Sequence, residues 1–143
     1  VPPAGAKTGK DHKLAVLATS TTSTVLQAMQ SFAFKTAAES ILQLAIAANG
    51  HLNDTAPWSR MKQPGQEADV ADDLYVVLES ARIVGVLLSP LLPDLSERLL
   101  AQLGFEPVCS AWHGQLAWGG LQSGALLPQP SPVMQRLELE DNL

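Results

Sequence analysis

The clearest periodicity in the chain lies between Phe34 and Leu52, where Phe34, Ala37, Ala38, Ile41, Ala45, Ala48 and Leu52 recur at steps of three and four residues. That spacing predicts an amphipathic helix with Ser31 as its candidate N-cap. Asn49-Gly50 ordinarily signals a stop, yet Leu52 continues the stripe and Pro57 sets a firmer boundary. The helix is therefore expected to run to about Thr55, at a cost of roughly 1 kcal/mol for its interior glycine. Upstream, Leu14, Leu17, Val25 and Met29 give part of a stripe for a helix from Asp11 to about Gln30, against the poor helix propensity of the TSTTST run from Thr19 to Thr24.

Downstream, a short turn from Pro57 to Lys62 leads into the loop QPGQEAD, and a third long helix is expected to end near Leu88. Its predicted buried stripe is Leu74, Val77, Leu78, Ala81, Val84 and Leu88, and the acids Glu67, Asp69, Asp72 and Asp73 favour the positive end of its dipole. Two prolines in SPLLP make a corner, and a further helix should follow from about Pro93 to Leu103, closed by Gly104. Beyond Gly104 the periodicity stops; alternation near Val133 to Leu139 predicts one short strand in an otherwise irregular, Gly- and Pro-rich tail. The fold class is thus all-α, a helical bundle over residues 11–104, with residues 1–10 read as a linker and 105–143 as an irregular C-terminal tail.

Composition narrows the function. A chain of 143 residues is one domain's worth, and with 46% apolar but only 5% aromatic residues its core must come from aliphatic side chains and alanine. Cys109 is the single cysteine, so no internal disulfide forms, and one Cys with three scattered His supplies no zinc site. The longest apolar run, Ile83 to Leu88, is too short to span a bilayer, and VPPAGAKTGKDHK has no signal-peptide core; a soluble, intracellular protein is expected. The net charge of -5 speaks against nucleic acid, but it is unevenly placed: residues 1–62 carry six bases against three acids, residues 63–143 three bases against eleven acids.

Catalytic motifs fail on inspection. GAKTGKD is one residue short of a phosphate-binding loop and has Asp11 where a hydroxyl should hold magnesium, while WGGLQSG lacks the strand and helix of a dinucleotide turn. Glu79 and Arg82 lie one helical turn apart and are expected to pair for structural reasons. His12, His51 and His113 sit in unrelated contexts with nothing to assemble a triad. What stands out is a tryptophan, Trp58, directly after Pro57 at the tip of a helical hairpin. Helical pattern alone favours a plug at the end of the bundle; the other reading is a ring held out to stack on something flat.

The run ANGHLNDTAPWSRMK, followed by ESARIVGVLLSPLLPDLSERLLAQLG and by the tail WGGLQSGALLPQPSPVMQRLE, resembles the helical anticodon-binding domain of methionyl-tRNA synthetases, class I enzymes, in their bacterial and plastid forms. The resemblance covers about residues 31–139. It implies that Trp58 stacks on the anticodon of methionine tRNAs, initiator and elongator alike, and that Pro57 fixes the presenting turn. It further places Arg60 and Lys62 near phosphates and Asn49 and Asn53 on the approaching helix. His51 stands where the family usually has Tyr or Phe and receives no RNA role. The family also reads the anticodon with an Asn and an Arg on a preceding helix, so the resemblance implies a domain without its first helix and without the catalytic domain. ATP, methionine and magnesium belong to that catalytic domain, which would be the partner of this fragment in one ligase chain; no cofactor, membrane or DNA is expected for the fragment itself. The implied compartment is the cytoplasm, or the stroma or matrix of an organelle. The rival readings are the equivalent domain of a leucine- or cysteine-type class I synthetase, and a helical protein-interaction module.

Overall fold

The structure is a computed structural model that describes residues 1–106, 108 and 112–134. Five α-helices follow one another among these residues: α1 (Lys13–Gln30), α2 (Phe34–Thr55), α3 (Pro57–Arg60), α4 (Glu67–Leu88) and α5 (Pro93–Gln102), with a single 3-10 turn at His113–Gln115. The all-α bundle is as expected, and no strand occurs among the described residues. Val133 and Met134 are irregular, and the remainder of the predicted strand lies outside them.

In the hydroxyl-rich stretch of helix α1 the side chains bond back to the helix's own carbonyls. Thr19 Oγ1 donates to Ala15 O at 2.9 Å, Ser23 Oγ to Thr19 O at 3.2 Å and Thr24 Oγ1 to Ser20 O at 3.0 Å. Its start is Lys13 rather than Asp11, because His12 is the N-cap and its Nδ1 accepts the Leu14 amide at 3.1 Å. Ser31 caps the end of α1, not the start of α2, whose N-cap is Ala33. The link between the two helices is a Schellman turn, with Ala33 N donating to Ala28 O at 2.8 Å and Phe32 N to Met29 O at 3.2 Å. Phe32 takes the left-handed position at φ 57°.

The buried stripe of α2 is Ala37, Ile41, Leu44, Ala48 and His51, which agrees with the expected stripe at Ala37, Ile41 and Ala48. Phe34 and Ala38 instead face solvent. The larger correction concerns α4. Val84 is buried as expected, but Leu74, Val77, Leu78, Ala81 and Leu88 are only partly buried, while Val70, Tyr75, Val76, Glu79, Ile83, Val86 and Leu87 lie inside. The physical reason is position: α4 packs against α1, α2, α3 and α5 and is wrapped on nearly every side. Apolar residues on more than one face of α4 offer two stripes, and periodicity alone cannot choose between them.

The main core joins Val25, Ile41, Leu44, Ile83, Leu87 and Leu100, and a second cluster of Leu14, Ala48, Tyr75, Val76 and Leu121 lies beside it. Each large aliphatic side chain among them contributes roughly 1.5–3 kcal/mol on burial. Helix α5 sits close on α4 because Gly85 leaves room for it. A Cβ there would meet Leu100 Cδ2 at 2.9 Å, and Ser96 Oγ donates to Gly85 O at 2.7 Å. Gly104, at φ 78°, then closes α5 in a Schellman turn, with Phe105 N donating to Leu100 O at 3.0 Å.

Residues 1–10 lie against the tail and α4. Ala4 N donates to Ser123 Oγ at 2.9 Å and Trp118 Nε1 to Thr8 O at 2.9 Å, while Lys7 Nζ pairs with Asp69 at 2.5 Å.

Candidate nucleic-acid interface

At the C-terminal end of α2 the chain must reverse within a few residues. Ala56 does so in the left-handed region, φ 42°, with its amide still bonded to Leu52 O at 3.1 Å. Pro57 then occupies the first position of α3, where a missing N–H costs nothing. Pro57 is buried, whereas Trp58 beside it is 54% exposed. The proline, not the tryptophan, closes the tip of the bundle. A ring this open contributes little to the core and keeps its face available for stacking.

Asn49 and Asn53 lie one turn apart and are both exposed, on the face of α2 opposite its buried stripe. The same outer face carries Leu42 and Ile46, 56% and 53% exposed, so two large aliphatic residues lead along α2 towards the two amides. No Lys, Arg, Asp or Glu interrupts α2 between Glu39 and Asp54. Lys62 is exposed just past α3.

Arg60 behaves differently from Lys62. Its Nη1 donates to Asp73 Oδ2 at 2.5 Å, its Nε and Nη2 reach Gln66 Oε1 at 3.3 and 3.1 Å, and Nη2 lies 3.7 Å from Asp69 Oδ2. The guanidinium is thus committed inside the protein, binding α3 to the start of α4. Asp73 uses its other oxygen to accept from His51 Nε2 at 3.0 Å, and His51 itself is buried. The His12 ring meets His51 edge-on at 5.2 Å, and burial, followed by the neighbouring His51, holds the His12 pKa below its usual range.

This network is not visible in the sequence, where Asp73 is one of four acids near the start of α4 and His51 has no role. One usable signal exists. His51 continues the inward stripe of Leu44 and Ala48, and a polar side chain on a buried stripe requires a buried partner.

The tail is held by the pair Glu79–Arg82. Gly119, Gly120 and Leu121 all donate backbone N–H to the Glu79 carboxylate, at 2.7, 3.0 and 2.9 Å, and Arg82 donates to the carbonyls of Gln115 and Ala117. The expected structural pairing is present, at 2.6 Å, and its glycine-rich partner is WGGL itself. Gly120 is required by contact, since a Cβ there would lie 2.7 Å from Arg82 Cζ.

A family profile described as the anticodon binding domain of methionyl tRNA ligase matches residues 1–142. The chain is 37% identical over 113 residues to the chloroplastic/mitochondrial methionine–tRNA ligase of Arabidopsis thaliana, covering 77% of this chain and 18% of that protein. It is 36% identical over 145 residues to the methionine–tRNA ligase of Thermosynechococcus vestitus, covering 94% of this chain and 27% of that protein. The apo methionyl-tRNA synthetase of Mycobacterium tuberculosis superposes with a TM-score of 0.83 at 26% identity, covering 97% of this chain and 28% of that one. These matches assign the fold to the helical anticodon-binding domains of aminoacyl-tRNA ligases. The chain belongs to the family of the methionyl-tRNA ligase anticodon-binding domain. It spans 18% and 27% of the length of the two curated relatives.

Proposed function

We propose that this chain serves as the anticodon-binding part of a methionine–tRNA ligase and that Trp58 stacks on a base of the CAU anticodon of methionine tRNAs, initiator and elongator. The observation that carries the reading is the 54% exposure of Trp58 on a buried proline, at the tip of a domain belonging to this family. One stacked base contributes roughly 1–3 kcal/mol and does not itself distinguish bases. Asn49 and Asn53 offer amide donors and acceptors on the approach, and Lys62 offers a cation for phosphate. Arg60 and Pro57 serve the same site from within, by holding the turn.

The reaction belongs to the rest of a parent chain. A relative from Mycobacterium tuberculosis is known in complex with methionyl-adenylate. ATP, methionine and magnesium would act in the corresponding catalytic part of the parent. The exposed Leu42 and Ile46 face of α2 suits a preceding helix of that parent, carrying the base-reading Asn and Arg that the family resemblance implies. No described helix is long and apolar enough to cross a membrane, and we place the enzyme in the cytoplasm or in an organelle's stroma or matrix.

The test is Trp58→Ala in the full-length parent, assayed for aminoacylation and, separately, for methionine-dependent ATP–pyrophosphate exchange. Loss of the first with retention of the second supports the reading; equal loss of both, or of neither, contradicts it.

A further inference from the structure

Helix α3 is four residues long, far too short to persist by its own hydrogen bonds. Among the described residues, Arg60 is the only α3 side chain hydrogen-bonded outside the helix. Its closest partner is Asp73 on α4, and the other oxygen of that carboxylate accepts from His51 on α2. One carboxylate therefore touches the helix that carries Asn49 and Asn53 and the helix that carries Trp58. All three members are shielded: His51 is 6%, Asp73 17% and Arg60 25% exposed at the side chain. Shielding strengthens the charge-assisted bonds and fixes their geometry.

We propose that Asp73 is a positioning residue: by gripping His51 with one oxygen and Arg60 with the other, it sets the attitude of Trp58 relative to Asn49 and Asn53 without touching RNA. This rests on the reading that Trp58 meets the anticodon. Without Asp73, Arg60 falls back on Gln66 and Asp69, so the turn loosens but the bundle, whose cores lie elsewhere, stays folded.

The experiment uses the full-length parent labelled with 5-fluorotryptophan, the Trp58 signal being assigned by its loss in Trp58→Phe. In Asp73→Asn the Trp58 resonance should move or broaden, while Trp112 and Trp118, held by indole bonds to Val86 O and Thr8 O, keep theirs. The KM for tRNA should rise about tenfold, with methionine activation unchanged, and Asp73→Glu should recover part of the loss. In a Trp58→Ala background Asp73→Asn should add nothing further, because the effect runs through that ring. Arg60→Gln, which breaks the grip from the other side, should reproduce the shift should Asp73→Asn fold poorly. An unmoved Trp58 signal, or the same tenfold loss without Trp58, overturns the proposal. A signal that moves while Trp58→Ala leaves tRNA KM unchanged supports the grip and counts against the anticodon reading alone.

Discussion

Glu79 and Arg82, one turn apart on α4 and 0% and 2% exposed, hold each other at 2.6 Å and between them bond five backbone groups of the tail. Neither charge can reach water, so each depends on the other and on the tail. Glu79→Ala strands the guanidinium and three tail amides together. It should cost about 3–5 kcal/mol, read from urea unfolding, and detach the tail so that limited proteolysis cuts near Gly119. A loss under about 1 kcal/mol would show that the pair does not hold the tail.

Two glycines should respond in opposite directions. Gly50 lies inside α2 with nothing within 4 Å of an added Cβ, so Gly50→Ala should stabilise the domain by about 0.5–1 kcal/mol through helix propensity. Gly120→Ala drives a methyl into the buried Arg82 guanidinium and should destabilise it. Thermal melts of the two variants check both signs at once.

Stability should also depend on the protonation of His12. Its Nδ1 accepts the Leu14 amide, so the cap needs an unprotonated nitrogen there. Burial first, then His51 and Lys13, lower its pKa from 6.5, against the opposing pull of Asp73 and Asp72. The unfolded chain therefore binds this proton more readily than the folded one. The contribution is fully present above pH 6.5 and declines as pH falls through that value. The cap itself is worth about 1 kcal/mol. Urea midpoints should fall between about pH 7.5 and 5.5 and flatten in His12→Asn, which can cap without titrating; an identical slope in the variant would remove His12 as the cause.

Most of the architecture was legible in the sequence because its boundaries are written in strong local signals. Pro57, Pro93 and Gly104 mark the boundary after α2, the start of α5 and its stop, and all three act so in the structure. What periodicity could not settle was which stripe of α4 faces inward, since its less buried face carries Leu74, Val77, Leu78 and Ala81 and so imitates an inward stripe. At the tip, Pro57 and Trp58 stand out in the sequence as a motif, whereas Asn49, Asn53 and Lys62 enter only through the family resemblance. The commitment of Arg60 to Asp73 was not, because it joins residues brought together only when α3 folds back on α4.

The role proposed for Trp58 is that of a stacking platform outside the core. Its most direct test is Trp58→Ala, followed by melting temperature and by aminoacylation of methionine tRNA in the full-length parent. A stacking platform requires a nearly unchanged melting temperature, a loss of roughly 1–3 kcal/mol in productive use of the tRNA, and intact methionine activation. A destabilisation of roughly 3–5 kcal/mol, the cost of emptying a core aromatic site, with unaltered aminoacylation by the enzyme that remains folded would contradict it.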